Sequence, residues 1–472
     1  MSKFIKNSSL YVITVLILNA SSFILLPLYT RLLTPADYGN IYLMQTIATI
    51  IGLISSVQIQ ASLSRYYYEY KEDFSKVKKM YSSIVIFTFY STSIIYGLIF
   101  IFNKYIFFFL HIKFFPYMFI VLLASYLAIF YELILSLLYV EEKAKKISIT
   151  SIILGIGSIL MTAVLVINSK DKLLAFLTAS LITAIMQFIL FIWYSRPYFK
   201  FEKKLFNMKE FFGYSIQRLP MSLSSWIVTF ADRIMVYGYI GANENGVYSL
   251  GYKLGQMPEM LYTSINKAYV PYVFDKYKNP SEENNKKIIY IAQYLFSIYI
   301  VLVFGILVFS KDVVFLLDER FKQSLGIMMI ILVAYMLSGL KLVFHCPMDY
   351  KKEYGKIKSI IWISSAFINV ILNVFLIPRY GIYGAAYSTL ISYLVTLPPI
   401  LYYSNKAMKF KYNYKAMFKV LAVSLIYSLL IILKISFVGL FIKCILSLLY
   451  LYVVLRLNDL QIKDLKNAMG FK

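Results

Sequence analysis

Six polar side chains between positions 215 and 232 are spaced so that they could act together: Ser215, Arg218, Ser222, Ser225, Thr229 and Asp232 recur at intervals of three and four residues. Such intervals put them on one face of a helix. The stretch that carries them, 211–240, is otherwise largely apolar. An Arg or Asp near the centre of a bilayer costs about 2.5 to 3.5 kcal/mol on insertion scales, so a spanning helix that holds both turns them towards protein or water. Two readings follow. The stripe is a cavity wall that meets a polar ligand, or it is packing glue made by Ser and Thr, with Arg218 snorkelling to the membrane surface.

The next apolar stretch, 246–274, adds Lys253 and Lys267, with Gln256 and Ser264 close to the same helical line. Pro258 and Glu259 stand at its middle, where proline frees a carbonyl and bends a helix. A bent cationic helix at the membrane midplane suits a large anion. Glu259 lies about 120° from the Lys253 line, so it either shares the cavity or pairs with a cation on a neighbouring helix. Arg233, Lys341 and Lys443 are further bases inside apolar stretches. Glu132 is the acid of the first six stretches that lies well inside one; it is a relay for a proton or sodium ion, or the partner of a basic neighbour. Gln45, Thr49, Gly52, Ser56 and Gln60 share a face at 38–62, and Arg65 follows as either a surface anchor or a ligand.

Other chemistry finds no home. There is no GxxxxGK[ST] phosphate loop and no Ser-His-Asp context. His345 beside Cys346 lacks the further ligands of a zinc site, and Cys346 and Cys444 show no disulfide spacing. A polymerase or acyltransferase would be expected to carry a sizeable loop or a catalytic His with Arg, and His111 is isolated. No cofactor is expected beyond a coupling ion, H+ or Na+.

The elements that position these residues are membrane helices. Of the 472 residues, 60% are hydrophobic and 15% charged, which a water-soluble chain could not bury. Apolar runs of roughly the 20 residues needed to cross a bilayer fall at 10–30, 38–62, 80–102, 114–140, 147–168, 173–194, 211–240, 246–274, 288–310, 324–347, 359–378, 380–403, 416–433 and 436–455. These are spans one to fourteen below. The net charge of +25 is topological. With the N-terminus in the cytoplasm, the inner loops carry about three times as many Lys and Arg as the outer ones, the positive-inside asymmetry. Both termini are therefore expected to be cytoplasmic, and the basic residues to meet membrane lipids rather than nucleic acid.

The halves superpose in sequence at an offset of 207, which matches Gly39 with Gly246, Leu43 with Leu250 and Tyr70 with Tyr277. The loops TPADYGNIYL and GANENGVYSL share an acid, Asp37 or Glu244, and a glycine two residues later. Six spans separate the copies, so the repeat is parallel. The expected fold is all-α: about fourteen membrane helices, with two six-helix lobes related by a parallel pseudo-twofold around a central cavity. The lobes would be 1–207 and 208–410, with 411–472 an appended helical pair. That arrangement suits alternating access.

The stretch LLPLYTRLLTPADYGNIYLMQTI, residues 25–47, and above all LYTRLLTPADYG, resembles the first helical hairpin of the bacterial polysaccharide repeat-unit flippases, the Wzx-type branch of the multidrug, oligosaccharidyl-lipid and polysaccharide exporter superfamily. Arg65, IGANENGVYSL and IPRYGIYGAAYS extend the resemblance across the chain. The resemblance implies movement of an undecaprenyl-pyrophosphate-linked oligosaccharide across the bacterial plasma membrane, for O-antigen or capsule, powered by an ion gradient or the membrane potential, with a polysaccharide polymerase as a possible partner. It casts Arg218, Arg233, Lys253 and Lys267 as holding the anionic head, with Arg65, Ser222, Ser225 and Gln256 beside them. Asp232, Glu259 or Glu132 would couple ion movement. A multidrug exporter or a peptidoglycan-precursor flippase of the same superfamily are the alternatives.

Overall fold

The computed structural model describes residues 10–457 apart from 11–12, 15–16, 19, 109–112, 202–203, 279–280, 409–411 and 435–439; within the helices, the side chains at 264, 267–268, 271, 342–343, 352, 430–434, 440–441, 455 and 457 are also outside the description. Among the described residues every regular element is helical. Among the described residues nine helices are long and apolar enough to cross a membrane, and they coincide with spans two to six and nine to twelve. Spans seven and eight are present but interrupted: Met208–Trp226 passes through a π turn, Ile227–Ala231, into Asp232–Tyr239, and Ala242–Gly255 gives way to Met257–Lys278. Spans thirteen and fourteen are the helices Tyr414–Lys434 and Leu440–Leu457. The protein is an all-α, multi-pass membrane protein.

Short polar loops start the helices by capping them. Thr34 Oγ1 accepts from the Asp37 backbone N–H at 3.1 Å while Asp37 Oδ2 accepts from the Thr34 N–H at 2.9 Å, a complete capping box with Pro35 in the first turn. The acid of the TPADYG loop is thereby explained without a ligand. Asp73, Asp171 and Ser281 cap spans three, six and nine in the same way.

The chain divides into two compact units, Met1–Ser249 and Leu250–Lys472. Span seven and the start of span eight therefore belong to the first unit, and spans thirteen and fourteen to the second. In the first unit span four packs against spans two, three and six. Its core gathers Tyr81, Phe130, Tyr131, Ile134, Leu137 and Phe211, and the Tyr81 hydroxyl meets Ser195 Oγ at 2.6 Å. In the second unit span twelve packs on spans ten and eleven, and span nine on spans ten and thirteen.

Span fourteen is held to span nine by charge. Lys443 Nζ donates to both carboxylate oxygens of Asp312, at 3.0 and 2.7 Å, and its side chain is 10% exposed. Removing the carboxylate strands the buried ammonium in apolar surroundings, which is worse than removing both. Asp312→Leu should therefore lower the thermal midpoint of the detergent-purified protein by the equivalent of about 3 kcal/mol, and adding Lys443→Met should recover part of the loss. A double variant as unstable as the sum of the singles would show that the pair contributes no coupling.

Candidate functional site

The polar stripe of span seven does not face one environment. Ser215 and Ser222 of the stripe bond to span two, as do Trp226 and Tyr237 of span seven and Asn245 at the start of span eight. Ser62 Oγ meets Ser215 Oγ at 2.6 Å and donates to the Phe211 carbonyl at 2.6 Å. Ser222 Oγ donates to Gln58 Oε1 at 2.9 Å, and Trp226 Nε1 to Thr49 Oγ1 at 2.9 Å. Tyr237 donates to Asn40 Oδ1 at 3.1 Å, and Asn245 Nδ2 to the Gly39 carbonyl at 2.9 Å. Ser215 and Ser222 thus act as packing glue. Arg218 and Ser225, each about 60° round the helix from those serines, are exposed. Arg218 is steadied by Tyr214, whose hydroxyl accepts from Nη1 at 2.8 Å and whose ring lies 5.6 Å below the guanidinium. Among the described residues it has no acidic partner.

Two breaks set this register. Span two stops at Val57 and Gln58, whose φ angles of 50° and 54° lie in the left-handed region that a β-branched residue rarely adopts. The break turns Gln58 towards Ser222, a partnership that an uninterrupted helix would not offer. Span seven contains Pro220 and then the π turn, which advances the helix by an extra residue. Asp232 is thereby carried off the stripe into the interior, where it is fully buried. It accepts from the Tyr248 hydroxyl, takes the Arg233 N–H at 2.8 Å, and lies 3.5 Å from Arg233 Nη1. Arg233, 3% exposed, also donates to the Thr229 carbonyl and stacks over Phe230 at 4.9 Å. Asp232 and Arg233 neutralise each other inside the first unit.

Where span two begins, the two loops matched by the repeat touch. A Cβ on Gly39 would lie 1.9 Å from the Ala242 carbonyl oxygen, and a Cβ on Gly246 would lie 1.9 Å from the Pro35 carbonyl oxygen. Pro35 and Ala242 are themselves separated by 207 residues, as are the glycines. The contact is reciprocal, as a local twofold requires.

In the second unit, span eight breaks at Gln256, and Pro258 falls in the first turn of the following helix, where its missing N–H is harmless. Gly251 and Gly255 form a small-xxx-small pair against span ten, with a Cβ on either meeting backbone or side-chain atoms at 2.7 Å. Lys253 lies on the opposite helical face. It is half-buried, as are Gln256 and Glu259, and has no acidic partner among the described residues. Glu259 interacts electrostatically with Lys341 of span ten. The Lys267 side chain and His111 lie outside the described residues.

Glu132 in span four is exposed on the helix surface; among the described residues its carboxylate has no hydrogen-bond or ion-pair partner, and its backbone carbonyl accepts from Ser136 Oγ at 2.9 Å. Arg65 is exposed and pairs with Glu69 at 2.9 Å. His345 Nδ1 contacts the Lys341 carbonyl at 2.6 Å and Nε2 faces Asp349 at 3.2 Å, and no cluster of metal ligands occurs among the described residues. Sequence reasoning passed over Gln58, Trp226, Asn245 and Tyr248, whose roles depend on helix breaks that carry no strong signal. Lys341 stood out as an intramembrane base, but its surroundings come from three other spans.

Residues 4–277, more than half of the chain, match the family described as polysaccharide biosynthesis protein. The chain belongs to that family. Among its relatives, an Lsg locus protein of Haemophilus influenzae is 23% identical over 423 residues, covering 85% of this chain and 98% of the relative. A Haloferax volcanii protein, named a probable low-salt glycan biosynthesis flippase, is 20% identical over 211 residues, 44% of each chain. A solved structure of the lipid II flippase MurJ in an inward closed conformation superposes with a TM-score of 0.65 at 15% identity, covering 92% of this chain and 97% of that one. The family member described here thus has the fold seen in the lipid II flippase MurJ, and the Haloferax relative is the one named as a flippase.

The seam that span two makes with span seven and the start of span eight generates a test. Gly39→Val and Gly246→Val each drive a side chain into backbone, so both should lower thermal stability, and the double variant should lose less than the sum because each relieves the same crossing. Gln58→Ala with Ser222→Ala should give a coupling energy of about 0.6 kcal/mol, the usual size for a membrane side-chain hydrogen bond. Additive losses in both cycles would show that the seam is not closed in the purified protein.

Proposed function

We propose that this chain flips an oligosaccharide linked to undecaprenyl pyrophosphate, a polysaccharide repeat unit, across the bacterial plasma membrane. It works by alternating access, driven by an ion gradient or the membrane potential, with both termini in the cytoplasm and a polysaccharide polymerase as the consumer of its product. The observation that carries the reading is the imbalance of intramembrane charge. Arg233 is answered by Asp232, and Lys443 by Asp312. Arg218 and Lys253 are answered by no acid among the described residues. A cation left uncompensated in a membrane helix marks a place for an anionic substrate, and a pyrophosphate supplies charge that Arg can take as a fork and Lys as a point. The polyprenyl tail has no need of protein and can stay in lipid. Family membership and the flippase relatives point the same way.

Arg218 in the first unit and Lys253 in the second are each proposed as a contact for an anionic head, with Ser225 and Gln256 as polar neighbours within their own units, and Arg65 is assigned to the membrane surface. Asp232 and Arg233 are assigned to holding span seven. A multidrug exporter of the same superfamily is the second reading, and the unpaired carboxylate of Glu132 is the observation that favours it, since an organic cation would seek such a group.

The test is transfer in proteoliposomes of a fluorescent undecaprenyl-pyrophosphate oligosaccharide, with a membrane-impermeant quencher reporting the leaflet. Losing one hydrogen bond to a charged group is worth about 1.5 to 3 kcal/mol, so Arg218→Gln and Lys253→Gln should each slow transfer by about tenfold or more while the folded yield is unchanged. Transfer undiminished in both variants removes the cationic site. Gradient-driven export of organic cations, lost in Glu132→Gln, would replace the lipid assignment.

A further inference from the structure

Span three begins with a face that another part of the first unit covers. Phe74, Lys78 and Ser82 stand four residues apart and share that face, and the connection from span six to span seven lies across it. The Phe74 ring is 5.9 Å from that of Tyr198. Ser82 Oγ accepts from the Lys200 backbone N–H at 2.8 Å and donates to the Tyr198 carbonyl at 3.4 Å. Ser83 Oγ accepts from the Phe206 N–H at 2.8 Å, and Asn207 Nδ2 donates to the Tyr70 hydroxyl at 3.1 Å. Both serines are buried. They stitch the connection to span three in two places before the chain enters the helix Met208–Trp226, which carries Arg218.

The stitches fix the depth at which the connection lies. Lys78 and Lys79 are the last charged residues before the apolar run of span three, and Ser82 and Ser83 follow three to five residues later. At the helical rise this is about 4 to 8 Å further along the span. Interfacial segments bury their apolar faces about 5 to 10 Å into the boundary between headgroups and acyl chains. Backbone held at Ser82 is therefore held in the interface, not in bulk water.

The side chains at this level have the matching chemistry. Phe199 and Phe201 are 40% and 66% exposed, and Phe74, against Tyr198, is 52% exposed. Arg196 and Lys200 are exposed, Lys78 Nζ lies 5.0 Å from the Phe74 ring centroid, and none of the three bases has an acidic partner among the described residues. Acids of the neighbouring turns are engaged elsewhere. Asp73 caps span three and pairs with Lys76 at 3.8 Å, while Glu141 takes Lys143 at 2.6 Å and the Tyr198 hydroxyl at 2.5 Å.

We propose that residues 196–201, with Phe74 and Lys78, form a binding surface for anionic phospholipids that holds the entry to span seven at the level of the interface. Phe199 and Phe201 enter the acyl boundary, while Arg196, Lys200 and Lys78 meet lipid phosphate, Arg as a fork and Lys as points. Each base near such a surface favours an anionic leaflet about fivefold. The charge of the surrounding lipid thereby acts on the helix that carries Arg218, whatever cargo the protein moves.

The test uses the full-length chain with Cys346→Ala and Cys444→Ala, a fluorophore on Phe201→Cys, and nanodiscs of phosphatidylcholine mixed with phosphatidylglycerol. Nitroxides on the acyl chains should quench the fluorophore, and aqueous iodide should not. Quenching should be stronger when the nitroxide is carried by phosphatidylglycerol than by phosphatidylcholine. That local preference should fall about fivefold for each of Arg196→Gln and Lys200→Gln, and shrink as salt is raised. Both bases are exposed, so the variants should keep the parent's thermal midpoint in detergent, which separates lost lipid binding from lost fold. Ser82→Ala with Ser83→Ala cuts the stitches and leaves every base in place, and should open the fluorophore to iodide. Iodide quenching with the stitches intact overturns the proposal and leaves the surface to a soluble protein. Equal quenching from the two lipids, or a preference unmoved in both base variants, also overturns it. No transported substrate enters the assay, so its outcome is independent of the flippase reading.

Discussion

Hydrocarbon solvates no charge, and every ionised side chain that this chain places between two lipid leaflets has to be met by protein, by water or by cargo. The ways in which these charges are met sort them into jobs. Asp232 with Arg233 is a closed, buried pair within one helix, and Asp312 with Lys443 is a closed pair whose ammonium is buried. The second joins span fourteen to span nine, and the first is tied to span eight through the Tyr248 hydroxyl. Arg218 and Lys253 are left open, one exposed and steadied by Tyr214, the other half-buried opposite a glycine face that packs on span ten. Lys341 is intermediate, wrapped by Trp362 and Tyr393 and within the field of Glu259 without touching it.

The same constraint shapes the backbone. A run of Ser, Thr, Gln and Asn in a spanning helix needs partners in place of water, and span two finds them in span seven and the start of span eight, from Ser62 with Ser215 to Gly39 with Asn245. Small residues at the crossing let backbone approach backbone, which is why Gly39 and Gly246 leave no room for a Cβ. Each bond in such a seam is weak, about 0.6 kcal/mol by comparison with other membrane proteins. A seam of weak bonds can form and part within a transport cycle, whereas a closed ion pair such as Lys443 with Asp312 resists parting.

Much of this was legible in the sequence, and the limits of that legibility are physical. Apolar run length located the spans, because bilayer thickness fixes it. The repeat was visible in the glycines at 39 and 246, whose role is a backbone approach that no other residue permits. The face assigned to span seven was legible only as far as an ideal helix holds. Ser215, Arg218, Ser222 and Ser225 keep that geometry, and the stripe proves to be two edges, one glue and one open. Past Trp226 the π turn shifts the phase, so Asp232 lies inside instead of on the face. Pro258 was expected to bend the middle of a helix and instead starts one, since span eight had already broken at Gln256. The partner of Glu259 could not be read at all: Lys341 stands 82 residues away, and no periodicity links the two.

These observations bear on why one architecture can serve opposite cargoes. Helix packing is set by small residues and Ser/Thr bonds, which are indifferent to the sign of the substrate's charge. Sign is decided by a few side chains left without partners. Here the open groups of spans seven and eight are basic, while the acids of those spans, Asp232 and Glu259, each have a base to answer. On the proposed reading, pairing Arg218 or Lys253 with a new carboxylate one helical turn away would remove the reason for an anion to enter. Cargo and fold are therefore separable in this chain, and the boundary between them runs along a single helix, between Ser222, which faces a neighbour, and Ser225, which does not.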